Sequence, residues 1–503
     1  MRLSLIDKAV LSVAPMAGLR RIEARAAAGR IMAYYDAAGG GRRQGSWHPS
    51  RGDADASGGR RQRLSWISRD MIRNNPIATG AVQTIVAHTV GKGIQPRLAG
   101  FDDAPGTKAN GGGESELLET AKAAMKLHFD STRVDYRGRE TLAGLQRLAM
   151  AAVATDGEVL IVQHDQSAGL YPQFEVLEID HLDSGAWKSH TNGGYVQDGI
   201  EYDANGQRVA YHLYEEHPGA QGLITWRAKT LSRRVPAEMV LHLYRQDRPG
   251  QERGVTWFAP VALTLQDLAD YDDAQLVRQK IAALFTIFRR TDAPGTAPQS
   301  LSPGAMVDVS DSESYDFATP PGVEGYDEFT RGQLARIAKG LGLTYEALSG
   351  DLRRVNFSSG KMGRLEMDRN VEGWQKFILI DQMLTHIGRA FLRALALENP
   401  LQAARIMTAT IDWVPPARIM VDPSRELPPM IEAVRAGFTS RQRTQTELGR
   451  DPDMIHAEIL EDQIRADGDK MIFSSDGRYQ AAAAPAVAHT EQTDDVTPER
   501  TTA

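Results

Sequence analysis

FAPVALTLQDLADYDDAQLVRQKIAALFTIFRR, residues 258–290, runs for 33 residues without an internal glycine. Pro260 suits the first turn of a helix, and TDAPG at 291–295 is a stop. Read as one helix, the stretch is expected to span roughly 50 Å at about 1.5 Å per residue, more than a compact domain uses. Its first half holds Asp267, Asp270, Asp272 and Asp273, and its end holds Arg289 and Arg290. That is the polarity a helix dipole favours.

Working outward toward the C-terminus, residues 291–324 are rich in Pro, Gly and Ser around MVDVSDSESYDF, which carries four acids and no base. A second helix is expected at about 325–340. After it comes SGDLRRVNFSSGKMGR, 349–364, where Arg353, Arg354, Lys361 and Arg364 occur with no acid from 353 to 364. A third long helix is expected over 360–398, with Gly373 or Gly388 as the place for a kink. The order is long helix, small acidic β-like tip, returning helix, basic loop, long helix, which describes a protruding hairpin-like stalk. Taken alone, the acidic tip and the basic loop are each ordinary solvated loops. Attachment to long helices is what allows them to be held out rigidly.

Toward the N-terminus, Asn75 can cap a helix that begins at Pro76 and buries Ile77, Ala81, Val82, Ile85 and Val86, with Gly91 and Gly93 as its stop. Further helices are expected at 114–130 and 141–155. The period then changes to two in EVLIVQH, FEVLEID, GIEYD, RVAYHLY and EMVLHLY, and DANG at 203–206 reads as a hairpin turn. Residues 100–250 are therefore expected to be an α+β domain. Beyond Pro400, WVPPARIMVDPSRE reads as extended chain, and two short helices are expected with caps near Ser440 and Asp451. Residues 36–62 and the last 30 have too few apolar side chains to offset their ordering entropy, and they read as a mobile arm and a disordered tail.

The bulk composition fits a soluble protein: 42% hydrophobic, 24% charged, net charge −7 over 503 residues. Residues 1–62 hold eleven Lys/Arg against five Asp/Glu, a balance of +6 that leaves −13 on the other 441. An acidic body repels nucleic acid except where a local basic feature is presented to it. With no cysteine, disulfides, thiolate metal sites and cysteine nucleophiles are excluded. No apolar run approaches the roughly 20 residues that cross a bilayer. Asp7 and Lys8 interrupt the opening apolar stretch, so no secretory signal is expected.

Motifs for catalysis are scarce. SSGKM at 358–362 has Val355 and Met362 where a phosphate loop needs Gly and Ser or Thr, and GGGRRQG at 39–45 has no strand before it. There is no HExxH and no GxSxG. One alternative stays open: His164, Asp180, His181 and Asp183 lie near strand ends and could serve a metal-dependent nuclease or phosphohydrolase. Asx residues after strands are more commonly turn caps.

Several long stretches, in order, resemble the lambda-type bacteriophage portal proteins: RDMIRNNPIATGAVQ, DGEVLIVQ, EVLEIDHLD, GIEYDANGQRVAYHLYEEHPG, RPGQERGVTWFAPVALTLQDLADYDDAQLVRQKIAALF, VNFSSGKMGRLEMDR, WVPPARIMVDPSRE and AGFTSRQRTQTELGRDPD. The resemblance covers roughly 60–465. It implies an α+β portal fold assembled as a ring, usually of twelve subunits, at one capsid vertex. Double-stranded DNA would be packaged and ejected through its channel. The implied division is a mobile arm at 1–62, wing at 63–255, stem helix at 256–290, clip at 291–324, second stem helix at 325–342 and tunnel loop at 343–359. It continues with a long kinked helix at 360–398, a wing return at 399–424, crown helices at 425–472 and a disordered tail at 473–503. The resemblance implies DNA-facing roles for Arg353, Arg354, Asn356, Ser358, Ser359, Lys361 and Arg364. It implies terminase and neck docking for Asp308, Asp311, Glu313 and Asp316. Implied partners are the terminase large subunit, capsid and scaffold proteins and head–tail joining proteins, with assembly in the host cytoplasm and no membrane. No cofactor, metal or enzymatic activity is expected of the chain, since the motor ATPase would be the separate terminase. A rival expectation is that the arginines pair with Glu346, Asp351 or Glu366 across subunits and only hold the loop in place.

Overall fold

Asn75 ends one helix and starts the next. The computed structural model describes residues 60–99, 113–165, 171–190, 193–219, 231–283, 287–290, 306–309, 325–416, 422–450 and 452–471. In it α1 is Arg60–Asn74 and α2 is Pro76–Thr89, and the Asn75 side chain accepts from Ile77 N at 2.9 Å and Ala78 N at 3.3 Å. The expected arm therefore stops short of residue 62, because Arg60–Gln62 already belong to α1. The rest of the arm and the tail from 473 lie outside the described residues.

After β1, Gln95–Ala99, come α3, Gly113–Phe129, and α4, Leu142–Asp156. Thr141 caps α4 at its start, and Gly157 (φ 94°) ends it in the left-handed region. A Cβ on Gly157 would lie 2.2 Å from the Val255 carbonyl carbon, so only glycine permits this close crossing. Strands β2, Glu158–His164, β3, Gln173–Leu177, then β4, Lys188–Ser189, β5, Tyr195–Gln197, β6, Ile200–Tyr202, β7, Arg208–Tyr214, β8, Ser232–Pro236, and β9, Val240–Tyr244, form two antiparallel sheets. Their orders are β3-β2-β9 and β4-β5-β6-β7-β8. The hairpin at DANG is present: Asp203 accepts from Asn205 N and Gln207 N, both at 2.8 Å.

Glu158, at the start of β2, is the buried charge that joins these parts. It takes Arg253 Nη2 at 2.8 Å and Nε at 2.9 Å, Gly254 N at 2.9 Å and His242 Nε2 at 2.9 Å. Burial alone would raise its pKa, but Arg253 and His242 hold the carboxyl well below its ordinary range.

Trp257 and Phe258, 1% and 0% exposed, anchor the base of α5, Ala262–Ala283. This corrects the single helix expected over 258–290: α5 has 22 residues, and Ile287–Arg290 is a strand, β10. It pairs in parallel with β11, Met306–Val309, with Arg289 opposite Asp308 in register. The helical pattern does run into this stretch, but a partner strand downstream claims its end, so Arg289 and Arg290 do not complement the helix dipole. Along α5, Leu265 and Leu268 are buried and no residue from 269 to 280 is. The returning helix α6, Tyr326–Leu341, buries only Ile337, Ala338 and Leu341, at its far end. The two are joined away from the core by Tyr326 Oη donating to Asp272 at 2.8 Å and by the Tyr271 and Phe329 rings, 4.8 Å apart.

The expected basic loop at 343–359 is in part helical. It contains α7, Tyr345–Ser349, and its last residues open α8, Phe357–Trp374. The long helix continues through a π-helical segment, Gln375–Leu384, into α9, Thr385–Glu398. The irregularity follows Gly373. Gly388 serves another purpose, since a Cβ there would meet the Trp413 ring at 3.3 Å. α10, Ala403–Thr408, leads to β12, Thr410–Val414, which pairs antiparallel with β1.

The stretch read as extended to 426 turns helical at Pro423. α11 is Pro423–Arg435, capped by Asp422, which accepts from Ser424 N at 3.0 Å. Pro428 and Pro429 sit inside it, and those two residues made a helix hard to expect. α12, Arg441–Glu447, has Ser440 as its cap, and α13 is Pro452–Asp469.

Candidate functional site

Arg353 and Arg354 stand 72% and 59% exposed between α7 and α8. Neither is free of acid, although the sequence from 353 to 364 contains none. Arg353 donates through Nε and Nη2 to Asp351 at 2.9 and 3.0 Å and through Nη2 to Asp327 at 3.1 Å. The Arg353 hydrogen bonds hold the Asp351 carboxyl well below its usual range. Arg354 lies 3.8 Å from the same Asp327, and Lys361 lies 3.6 Å from Glu426. Of the three acids in the rival expectation, Asp351 is a partner within the same chain, whereas Glu366 pairs with Lys339.

The polar residues of the segment divide by what they bond. Asn356 and Ser359 close a reciprocal cap on α8: Asn356 Oδ1 accepts from Ser359 N at 2.8 Å, and Ser359 Oγ accepts from Asn356 N at 3.2 Å. Their side chains are thus committed to the backbone. Ser358 is exposed and Arg364 half-buried on the first turns of α8. Burial, together with the Arg364 charge, holds His88 of α2 below the ordinary histidine range. The segment can therefore offer guanidinium and ammonium groups outward from a helix start whose backbone is already satisfied. Of the acids expected to dock terminase, Asp308 is in β11, and Asp311, Glu313 and Asp316 lie outside the described residues.

The second candidate set does not converge. His164 Nε2 is 2.9 Å from Glu175, and its ring stacks on Tyr136 at 3.7 Å. His181 Nδ1 donates to the Tyr214 carbonyl at 3.0 Å, and burial lowers its pKa. Asp183 accepts from Tyr214 Oη at 2.8 Å and Ser232 Oγ at 2.7 Å. Asp180 is held by Arg69, whose Nε also reaches Asp156 at 2.7 Å. The described residues do bring Glu178, Asp180 and His217 together, with ligand atoms within 4.8 Å of one another. Asp180 and His217 line a cleft of about 780 Å³ that also takes in Trp66 and Trp187. His217 Nδ1 accepts from Gly219 N at 3.0 Å, which puts the ring proton on Nε2, the atom 3.2 Å from Glu178. With that nitrogen protonated and Arg69 already supplying a cation, the cluster is a clasp between α1 and the sheet. Neither Arg69 nor His217 was picked out from sequence, because only tertiary folding brings them to Asp180.

Comparison with known proteins bears on the whole chain. Residues 40–375 match the family described as phage portal protein, lambda family. The chain belongs to that family. Portal function follows from the membership, and the nuclease alternative has no support. Curated relatives include the probable portal protein of Halomonas phage phiHAP-1, 26% identical over 71% of this chain and 72% of that protein. Portal protein B of Escherichia phage lambda is 21% identical over 79% of this chain and 81% of its own length. The portal protein of Escherichia phage N15 is 22% identical, covering 86% and 89%. Among solved structures, a chain from the neck of an empty GTA particle is similar at 14% identity and a TM-score of 0.41, covering 76% of this portal chain and 94% of that one.

Proposed function

We propose that copies of this chain assemble, through the α5–α6 stalk and the α+β body, into a ring of twelve at one capsid vertex, and that double-stranded DNA passes through its centre. The observation that carries this reading is the stalk. From residue 269 to 280 no α5 residue is fully buried within one chain, while Leu276 and Val277 are 50% and 52% exposed. Apolar side chains on a projecting helix favour a neighbour. In this reading residues 256–290 and 325–342 are stem and 291–324 is the clip, where terminase and the head–tail joining proteins dock. Residues 343–359 with the start of α8 face the DNA.

Passage of any sequence needs phosphate contacts without base contacts. Arg353, Arg354, Lys361 and Arg364, with Ser358, suit that role, because they place cations and one hydroxyl next to a backbone that is capped by Asn356 and Ser359. Capsid and scaffold proteins would surround the body, and the finished assembly would reside in the virion after forming in the host cytoplasm. Negative-stain imaging of the purified protein tests the reading: rings with a central hole are expected. A compact monomer at tens of micromolar, in both low and high salt, would overturn it.

A further inference from the structure

The acid that touches both exposed arginines is not in their own segment. Asp327 lies in the first turn of α6, whose preceding residue Gly325 offers no side-chain cap. A carboxylate there is favoured by the positive end of the helix dipole, so Asp327 keeps a reason to stay in place without an arginine. Asp351 differs: it is two residues from Arg353 in the same segment, where Tyr345 Oη donates to it at 3.1 Å. Of these two acids, only Asp327 lies on another element. Two further polar pairs link α6 and its C-terminal end to α8. Arg353 meets Asp327, Lys339 meets Glu366, and Asn370 Nδ2 donates to the Gly342 carbonyl at 3.0 Å, so the pairs advance along both elements together. Of these pairs, the first joins α6 to the segment ahead of α8.

We propose that Asp327 is an internal substitute for DNA phosphate, holding Arg353 and Arg354 against the start of α6 until backbone phosphates take its place. The inference rests on the proposed DNA-facing role of this segment and adds its regulation. Both partners of the Arg353–Asp327 pair are well over half exposed, at 72% and 57%. Such pairs contribute little in water. A duplex presents many phosphates and releases counterions on binding, so it can outcompete one carboxylate. The consequence is a segment docked on the stem helix when no DNA is present and freed from it when DNA is.

The test uses the full-length protein in its native assembly, with Asp327→Asn, Asp327→Glu and the double variant Arg353→Ala/Arg354→Ala. Hydrogen–deuterium exchange at residues 350–356 is read with and without a short blunt duplex of arbitrary sequence, and duplex affinity is read by fluorescence anisotropy at low and high salt. Asp327→Asn should speed exchange without DNA to the level the wild type shows with DNA. It should also tighten duplex binding by about two- to fivefold at low salt, as expected for removal of one exposed competitor. Asp327→Glu should restore both. Unchanged exchange and affinity in Asp327→Asn, or weaker binding, would overturn the substitution role. If the double alanine variant binds DNA as the wild type does, the DNA-facing reading itself fails, whatever Asp327 does.

Discussion

Gln382 completes the open edge of β9 at Tyr244: its Oε1 accepts from Tyr244 N and its Nε2 donates to Tyr244 O, both at 3.0 Å. Gln146 does the same for Ile94, at 2.7 and 3.0 Å, from a fully buried position. In each case one helical amide satisfies both backbone groups of a single residue. Water can replace Gln382 at its half-buried site but not Gln146. Gln146→Ala is therefore expected to cost about 2–4 kcal/mol and Gln382→Ala about 1–2 kcal/mol. Urea midpoints at an unchanged m-value would show the difference. Equal losses would mean that burial does not set the cost.

Acid should weaken the fold in a defined window. Burial pushes the pKa of His242 down to about 4, against the pull of Glu158, and that of His128 down to about 4 as well. In the unfolded chain both rings titrate near about 6.5. The unfolded chain therefore binds more protons between those values, and stability falls as pH drops through the window. The loss is on the order of 1–3 kcal/mol per ring. Glu158 adds to it lower down, since its depressed pKa gives stability that is present above the ordinary glutamate range and lost below it. His242→Gln keeps a donor toward Glu158 and removes one titration. Its stability against pH, followed by denaturation from neutral to acid, should be flatter than that of the wild type.

The stalk offers a separate check on assembly. Leu276 and Val277 are both about half exposed within one chain, so replacing both with Asp should change single-chain stability by no more than about 0.5 kcal/mol per site. Light scattering should then report monomers where the wild type forms rings, with unaltered helix content. Rings of normal stability would mean that this face is not between copies.

What was legible in the sequence was local. Asn75 before Pro76 and the DANG turn each act on backbone groups within a few residues, so their effect can be read from neighbours in the chain. The portal resemblance was legible because many stretches match in order. What failed depended on distant partners. The IFRR end of the stem helix is a strand only because Met306–Val309 lies beside it. The segment from 353 to 364 looked bare of acid because its counter-charges, Asp327 and Glu426, come from other helices. The His/Asp group looked like ligands because Arg69, which occupies Asp180, and His217, which lies beside it, are far from it in sequence. The π-helical stretch after Gly373 had no local signal beyond that glycine.

Replacing Arg353, Arg354 and Lys361 together with Ala separates a DNA role from a structural one. All three sit in ion pairs at the surface, and the α8 start they flank is held by the Asn356–Ser359 cap, which the variant keeps. Folding and ring melting should therefore change little, because exposed pairs are screened by water and salt. DNA handling should change more. Removing one phosphate-binding cation makes the slope of log affinity against log salt shallower by about 0.9, so the variant should hold duplex less tightly and with a weaker salt dependence. Single changes should be mild, since such interactions add weakly, and Arg353→Glu with Arg354→Glu should be worse than Ala because repulsion replaces attraction. In particles, the triple variant should package or retain a shorter genome at an unchanged ring melting temperature. If the pairs to Asp327, Asp351 and Glu426 exist only to hold the segment, the order reverses: melting falls first and genome length stays normal. Measuring both quantities on the same preparation decides between them, and lowered melting with a full-length genome would remove these residues from the DNA path.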